Sequence, residues 1–200
     1  MPERQVSQVS PDPTALKALA HPVRLRMLGL LRVDGPATAS GLAARLGLNS
    51  GATSYHLRQL ALHGFIEEAV GQGNRRDRWW RARHEVTSFL GEHVEGEALD
   101  AGLAFQQAAL HWQMTQMQAA HDGYANLPTA WRKASSVSDY TIAMTPEAAA
   151  ALIGQIQALM AQALASAPPL GTPLPPDCRP FSIILNAAPL ATEQTEPDQP

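Results

Sequence analysis

Cysteine is almost missing from this chain: Cys178 is the only one in 200 residues. That excludes a disulfide framework and a thiolate metal cluster, and Cys178 itself reads as an incidental thiol in a Pro-rich loop. Aromatic residues are also few, 6%, in a chain that is 45% hydrophobic, 16% charged and rich in alanine. The composition is globular, and 200 residues suffice for one large or two small domains with buried cores. The opening MPERQVSQVSPDPT has no apolar h-region and does not read as a signal peptide. No apolar run approaches the length that spans a bilayer, so no membrane partner is expected and the cytoplasm is the expected compartment. A nucleophile elbow, a phosphate loop, paired carboxylates at helical spacing and a zinc deaminase motif are all lacking. GQGNRRDR at 71–78 has no G-x-x-x-x-G-K-[ST] pattern and lies between strand-like runs rather than before a helix. Neither an enzyme nor a cofactor is expected, and there is no internal repeat.

What the chain does have is charge of opposite sign in its two halves. Residues 1–84 hold 12 Lys and Arg against 6 Asp and Glu, a balance of +6. Residues 85–200 hold 3 against 12, a balance of −9, and together they make the net −3. Such blocks suggest two domains with different partners, the first facing something anionic.

Residues 1–11 read as a disordered lead. Asp12-Pro13 is a helix start, with Asp as cap and Pro in the first turn, for a helix through Ala20. His21-Pro22 opens a second helix, VRLRMLGLL, which Asp34-Gly35-Pro36 ends as a turn. Thr38 caps a short third helix closed by Gly47. Asn49 or Ser50 caps a fourth that runs to about His63. FIEEAV and RWWRA then bracket a Gly- and Asn-containing turn, a β-hairpin signal. Residues 12–84 are thus expected to be one unit of four helices and a hairpin.

The fourth helix has two different faces. At 100° per residue, Thr53, Leu57 and Leu60 share one side, with His56 at its edge, and should pack inward. Gly51, Ala52, Tyr55, Arg58 and Gln59 share the other, with Ser54 on a flank. A bare backbone at the start of such a helix can approach phosphates closely, and its free N–H groups favour an anion. Following a short helix and a tight turn, this helix has the geometry to enter a DNA major groove. Arg75 and Arg76 at the hairpin tip, with Arg78 on the returning strand, could enter a minor groove or hold phosphates.

The runs 18-ALAHPVRLRMLGLL-31, 42-LAARLGLNSGATSYHLRQLALHGFI-66 and 78-RWWRA-82 resemble the ArsR-like winged helix-turn-helix transcriptional regulators. The resemblance covers residues 14–83 and rests on the combination of its motifs. It implies a cytoplasmic bacterial homodimer that binds double-stranded DNA at an inverted-repeat operator, often as a repressor released by a small-molecule effector. It places Ser50, Gly51, Ser54, Tyr55 and Arg58 on the DNA, with Arg75 and Arg76 at the wing tip. Thr38, Asn49, Ala52, Gln59 and Arg78 complete the candidate DNA-binding set. His56 matches the helix histidine, expected in packing or phosphate positioning, and Trp80 the wing aromatic, expected in the core. The rival readings are a winged helix for protein contact, towards which the outward Leu62 leans, and a metal-responsive sensor.

Two departures qualify the resemblance. The recognition helix has no cysteine, and the other candidate ligands are badly spaced: His84 lies nine residues from His93, His111 ten from His121, and Glu92-His93 lacks a His partner at three or four. No metal is expected. The chain also runs about a hundred residues past the hairpin. Residues 85–122 read as a long helix weakened by Gly91, Gly96 and Gly102, with Leu99, Leu103, Leu110, Met114 and Met117 as a dimerisation stripe. SDYTIAMT reads as a strand, the stretch from Thr145 as a helix, APPLGTPLPPDCRP as a connector and FSIILNA as a second strand. Trp112, Trp131 and Tyr140 are candidates for an effector pocket. The expected fold class is α+β, mainly α. A winged helix-turn-helix at 12–84 precedes a helix–strand–helix–strand domain at 85–188, and 189–200 is a disordered tail.

Overall fold

The computed structural model describes residues 4–71, 77–87 and 95–190. Each N-terminal helix starts where a polar side chain accepts from a free backbone N–H. The Asp12 carboxylate accepts from Ala15 N at 2.8 Å and opens α1, Pro13–Leu19. His21 Nδ1 accepts from Val23 N at 3.2 Å and opens α2, Pro22–Val33. After a two-residue strand β2, Ala37–Thr38, the Thr38 hydroxyl accepts from Gly41 N at 3.1 Å and opens α3, Ala39–Leu46. Gly47, left-handed at φ +65, ends it. The Asn49 carboxamide accepts from Ala52 N at 2.7 Å and opens α4, Ser50–Leu62.

Strands β3, Ile66–Glu68, and β4, Trp79–Ala82, form the expected antiparallel hairpin, and β2 adds to its other side. Ile66 faces Ala82 and Glu68 faces Trp80 across one ladder; Ala37 faces Trp80 across the other. The core lies between this sheet and the helices: Leu19, Met27, Leu28, Leu31, Leu42, Leu57, Leu60, Phe65 and Ile66 are all buried. Each such side chain contributes about 1.5–3 kcal/mol of burial, so the core, not helix propensity, fixes how α4 sits.

The N-terminal lead is not structureless. Residues Gln8–Val9 form β1, paired in parallel with β5, Val86–Thr87. Side chains from distant parts of the chain hold this pair. Arg4 Nη1 lies 2.7 Å from Glu85 Oε2, and the largely buried Arg32 donates to His84 O at 2.8 Å and to Thr87 Oγ1 at 2.7 Å. Burial lowers the Arg32 pKa to about 10 and nearby Glu85 opposes the shift, so Arg32 remains a cation at neutral pH.

The long helix begins later than the sequence suggests. Residues 86–87 are strand, 88–94 lie outside the described residues, and α5 runs Glu97–Gly123 from a left-handed Gly96, φ +58. It packs on α1 and α2: Ala101 and Ala108 are buried, Phe105 packs against the core, and Trp112 lies against Gly29 of α2. Lys17 pairs with Glu97 at its start. A 3₁₀ turn Tyr124–Asn126 and a short α6, Thr129–Ala134, follow, and then α7, Pro146–Ser166, capped by Thr145. None of the residues of α7 is buried.

Two expectations are corrected here. Segments 138–145 and 181–187, expected as strands, form no ladder among the described residues. Alternation marks a segment that can pair, and a strand needs a partner edge as well. α7 is also long and apolar enough, by length and composition alone, to cross a membrane, although no run of that length was expected. Its only charged residue is Glu147 in the first turn; Gln155, Gln157, Gln162 and Ser166 interrupt the run without charging it.

Candidate nucleic-acid interface

The two faces of α4 are physically distinct. Thr53, Leu57 and Leu60 are each 0% exposed, whereas Ser50, Gly51, Tyr55 and Arg58 are exposed and Ala52, Ser54 and Gln59 half-buried. Thr53 also donates its hydroxyl to Asn49 O at 3.0 Å, which fixes the first turn from inside. Tyr55, 54% exposed, and Arg58 point outward from a helix whose buried side cannot rotate. No described carboxylate pairs with Arg58. Asn49 and Thr38, in the candidate set as contact residues, are both occupied as caps. Their side chains thus orient the helix starts.

A cleft of about 280 Å³ joins α3, α4 and the hairpin, lined by Thr38, Ala39, Ser40, Ser54, Arg58, Asp77, Arg78 and Trp80. It offers three hydroxyls and two guanidiniums against one carboxylate, at the N-terminus of α3, which suits an anionic oxygen. Sequence reading missed Ser40 and Asp77 there. Ser40 follows the Thr38 cap, a local signal; Asp77 reaches the cleft only because the hairpin folds back beside α4. Arg78 is shared: its Nε lies 3.2 Å from Glu68 Oε2 and its guanidinium 5.5 Å over the Trp80 ring. Trp80, at 8% exposed, is in the core as expected. Arg75 and Arg76 lie outside the described residues.

At the inner edge of α4 is a cluster that sequence reading did not assemble. The rings of His21 and His56 are 4.5 Å apart, and Tyr55 meets His56 edge-on at 5.5 Å. His56 Nδ1 and Arg24 Nε are buried without a hydrogen-bond partner among the described residues. Burial first, then Arg24, lowers the His21 pKa; burial, then His21 and Arg24, lowers that of His56. Burial thus favours the neutral form of both imidazoles, and the ring contact packs half-buried His56 of α4 against His21 at the start of α2. Leu62, 75% exposed, remains the apolar exception on the outer side.

The other candidates disperse. Leu99, Leu103, Leu110, Met114 and Met117 are 39–66% exposed along α5. Trp112 lines a cleft of about 180 Å³ with Pro22, Val23, Arg26, His111 and Thr115. Trp131 instead meets Phe181 at 6.2 Å, and Tyr140 is 83% exposed. Neither Trp131 nor Tyr140, expected with Trp112 in an effector pocket, lines that cleft. Among the described residues no group of three His, Cys, Asp or Glu could hold a metal, and His93 and Glu92 lie outside them.

Residues 19–69 match the family model of a helix-turn-helix domain. Among solved structures, reduced HlyU from Vibrio cholerae is 27% identical over 34% of this chain and 66% of its own, TM-score 0.29. This chain therefore spans just under two thirds of that protein. Mb0332 from Mycobacterium bovis is described as a homodimeric winged helix-turn-helix DNA-binding domain and a possible ArsR-family transcriptional regulator. It is 21% identical over 56% of this chain and 79% of its own, TM-score 0.32. A mutant of ZitR from Lactococcus lactis is 14% identical over 70% and 81%, TM-score 0.33. No curated protein matched the chain. Residues 19–69 are thus similar to a helix-turn-helix domain, and the antiparallel β3–β4 hairpin begins within that stretch and runs on beyond it.

Proposed function

We propose that the chain is a sequence-specific DNA-binding transcription regulator, a cytoplasmic repressor that acts as a homodimer on an inverted repeat. The observation that carries this is the two-faced α4: one side locked by Thr53, Leu57 and Leu60, the other open with Tyr55 and with Arg58, which has no carboxylate partner among the described residues. In this reading residues 50–63 enter the major groove. Ser50, Gly51, Ala52, Ser54, Tyr55, Arg58 and Gln59 lie along the duplex, and the cleft with Thr38 and Arg78 seats a backbone phosphate. The hairpin tip at 71–77, with Arg75 and Arg76, rests on the minor groove or phosphates. The exposed α5 stripe packs against its symmetry mate, which sets two α4 helices one DNA turn apart, about 34 Å. Repression follows by occupying promoter DNA. A small-molecule effector is the signal in this reading. The Trp112 cleft, between α2 and α5, admits only a small one, since ligand pockets run to about 300–1,000 Å³.

The test is titration of labelled promoter duplex at several salt concentrations. Phosphate contacts make log K fall linearly with log salt, with a slope of about −0.9 per phosphate neutralised. Binding to no duplex at any salt would refute the proposal, and Arg58→Ala should flatten the slope by about one contact.

A further inference from the structure

Three features of residues 136–190 go together. The segments 138–144 and 181–185 both alternate, placing Tyr140, Ile142 and Met144, and Phe181, Ile183 and Leu185, at every second position. All six are 43–83% exposed. Among the described residues, neither 137–144 nor 179–190 makes a backbone hydrogen bond, so two strand-like runs present bare edges. Between them, no residue of α7 is fully buried, and its wholly apolar stripe is only half-covered: Leu152, Ile153, Ile156 and Met160 are half-buried and Leu159 is 58% exposed. Gln155 and Gln162 border that stripe on one side and Gln157 on the other, which suits packing on one face against protein better than lipid all round.

This half is nevertheless fixed to the rest of the molecule. Arg4 donates from its backbone N to Ala165 O at 3.0 Å and from Nε to Ala167 O at 2.9 Å. Gly171 N donates to Val33 O at 3.2 Å, where Gly35 and Gly171 meet backbone to backbone.

We propose that the β-like segments 138–144 and 181–185 pair with those of a second copy of this chain, forming a sheet across the dimer that α7 covers. This rests on the homodimer reading above and adds a second interface to the α5 stripe. The occupant is argued from area and charge. At roughly 200 Å² per fully open large side chain, the six strand residues leave on the order of 700 Å² exposed, before α7 is added. A standard stable interface takes about 800 Å² from each partner. Residues 136–187 carry only Asp139, Glu147, Asp177 and Arg179, so nothing on the arm recruits a charged protein or an anionic lipid. A copy of itself matches the alternation at both edges.

Hydrogen–deuterium exchange on the full chain, with sedimentation at matched concentrations, tests this. Amides of 138–144 and 181–185 should exchange on the order of 100-fold slower in the dimer than after dilution to monomer. The double variant Ile142→Asp with Ile183→Asp should abolish that protection and weaken dimerisation at least about tenfold, with α4 exchanging as before. Fast exchange of both segments in an intact dimer overturns the proposal while leaving the homodimer reading standing. A monomer at all concentrations removes both. Protection within a monomer means the segments pair in one chain, and protection only with phosphatidylethanolamine/phosphatidylglycerol vesicles means lipid covers them; either overturns it.

Discussion

Replacing Gly35 by Ala tests how tightly the C-terminal half is held, and a second glycine supplies its control. Gly35 is at φ +85, and a Cβ there would lie 2.4 Å from Gly171 O and 3.1 Å from its carbonyl carbon. Gly47 is at φ +65 with nothing within 4 Å of its would-be Cβ. Both substitutions force a side chain into left-handed backbone, at about 1 kcal/mol, and both narrow the unfolded ensemble equally. Only Gly35→Ala must also push residues 170–172 back by roughly 1 Å, which breaks the 3.2 Å bond from Gly171 N to Val33 O, worth about 1 kcal/mol, and leaves that carbonyl unpaired at a cost of about 1–3 more. Gly35→Ala should therefore lie about 2 kcal/mol below Gly47→Ala in urea unfolding, with a Tm lower by roughly 4–8 °C for a chain of this size. Exchange of the Gly171 amide should rise in Gly35→Ala alone. Equal destabilisation by the two variants, within about 0.5 kcal/mol, would refute the close approach.

Leu57→Ala removes a side chain that is 0% exposed beneath the outward face of α4; thermal unfolding should show a loss of about 2–5 kcal/mol. Tyr55→Ala, in contrast, should leave stability unchanged and cost about 1–3 kcal/mol on a preferred operator; equal loss on random duplex would remove Tyr55 from sequence reading. Replacing Arg75 and Arg76 together by Ala should weaken binding to every duplex and reduce the salt slope, measured by anisotropy titration. His21, His56 and His84 all have lowered pKa values, burial being the first cause in each. The unfolded chain therefore takes up protons first, below about pH 6.5, so stability is full above that pH and is lost as pH falls through the lowered folded values. His56→Gln should make denaturation midpoints less sensitive to pH between 6.5 and 5 than in the parent protein.

How much of this could be read in advance depends on how local its cause is. Asp12, Thr38, Asn49 and Gly47 act within three or four residues, so the ends of α1, α3 and α4 are legible from the chain alone. The inward face of α4 is legible because Thr53, Leu57 and Leu60 recur at helical spacing. The β1–β5 pair is not legible: it is two residues long on each side and depends on Arg4, Arg32 and Glu85, up to 81 positions apart. The cleft residues Ser40 and Asp77, and the meeting of His21 with His56, likewise exist only after folding. The C-terminal strands, expected from alternation alone, are not formed: segments 138–145 and 181–187 make no ladder among the described residues, because alternation records which side of a segment is apolar and not where a partner edge lies.

The placement of α2 has a mechanical consequence. Its C-terminal end abuts the Gly35–Gly171 contact, and at its N-terminal end His21 touches His56 of α4. Twelve residues at 1.5 Å each make it a push-rod about 18 Å long. Helices bend little over that length, so α2 joins the Gly35–Gly171 contact to the His21–His56 contact as one stiff unit.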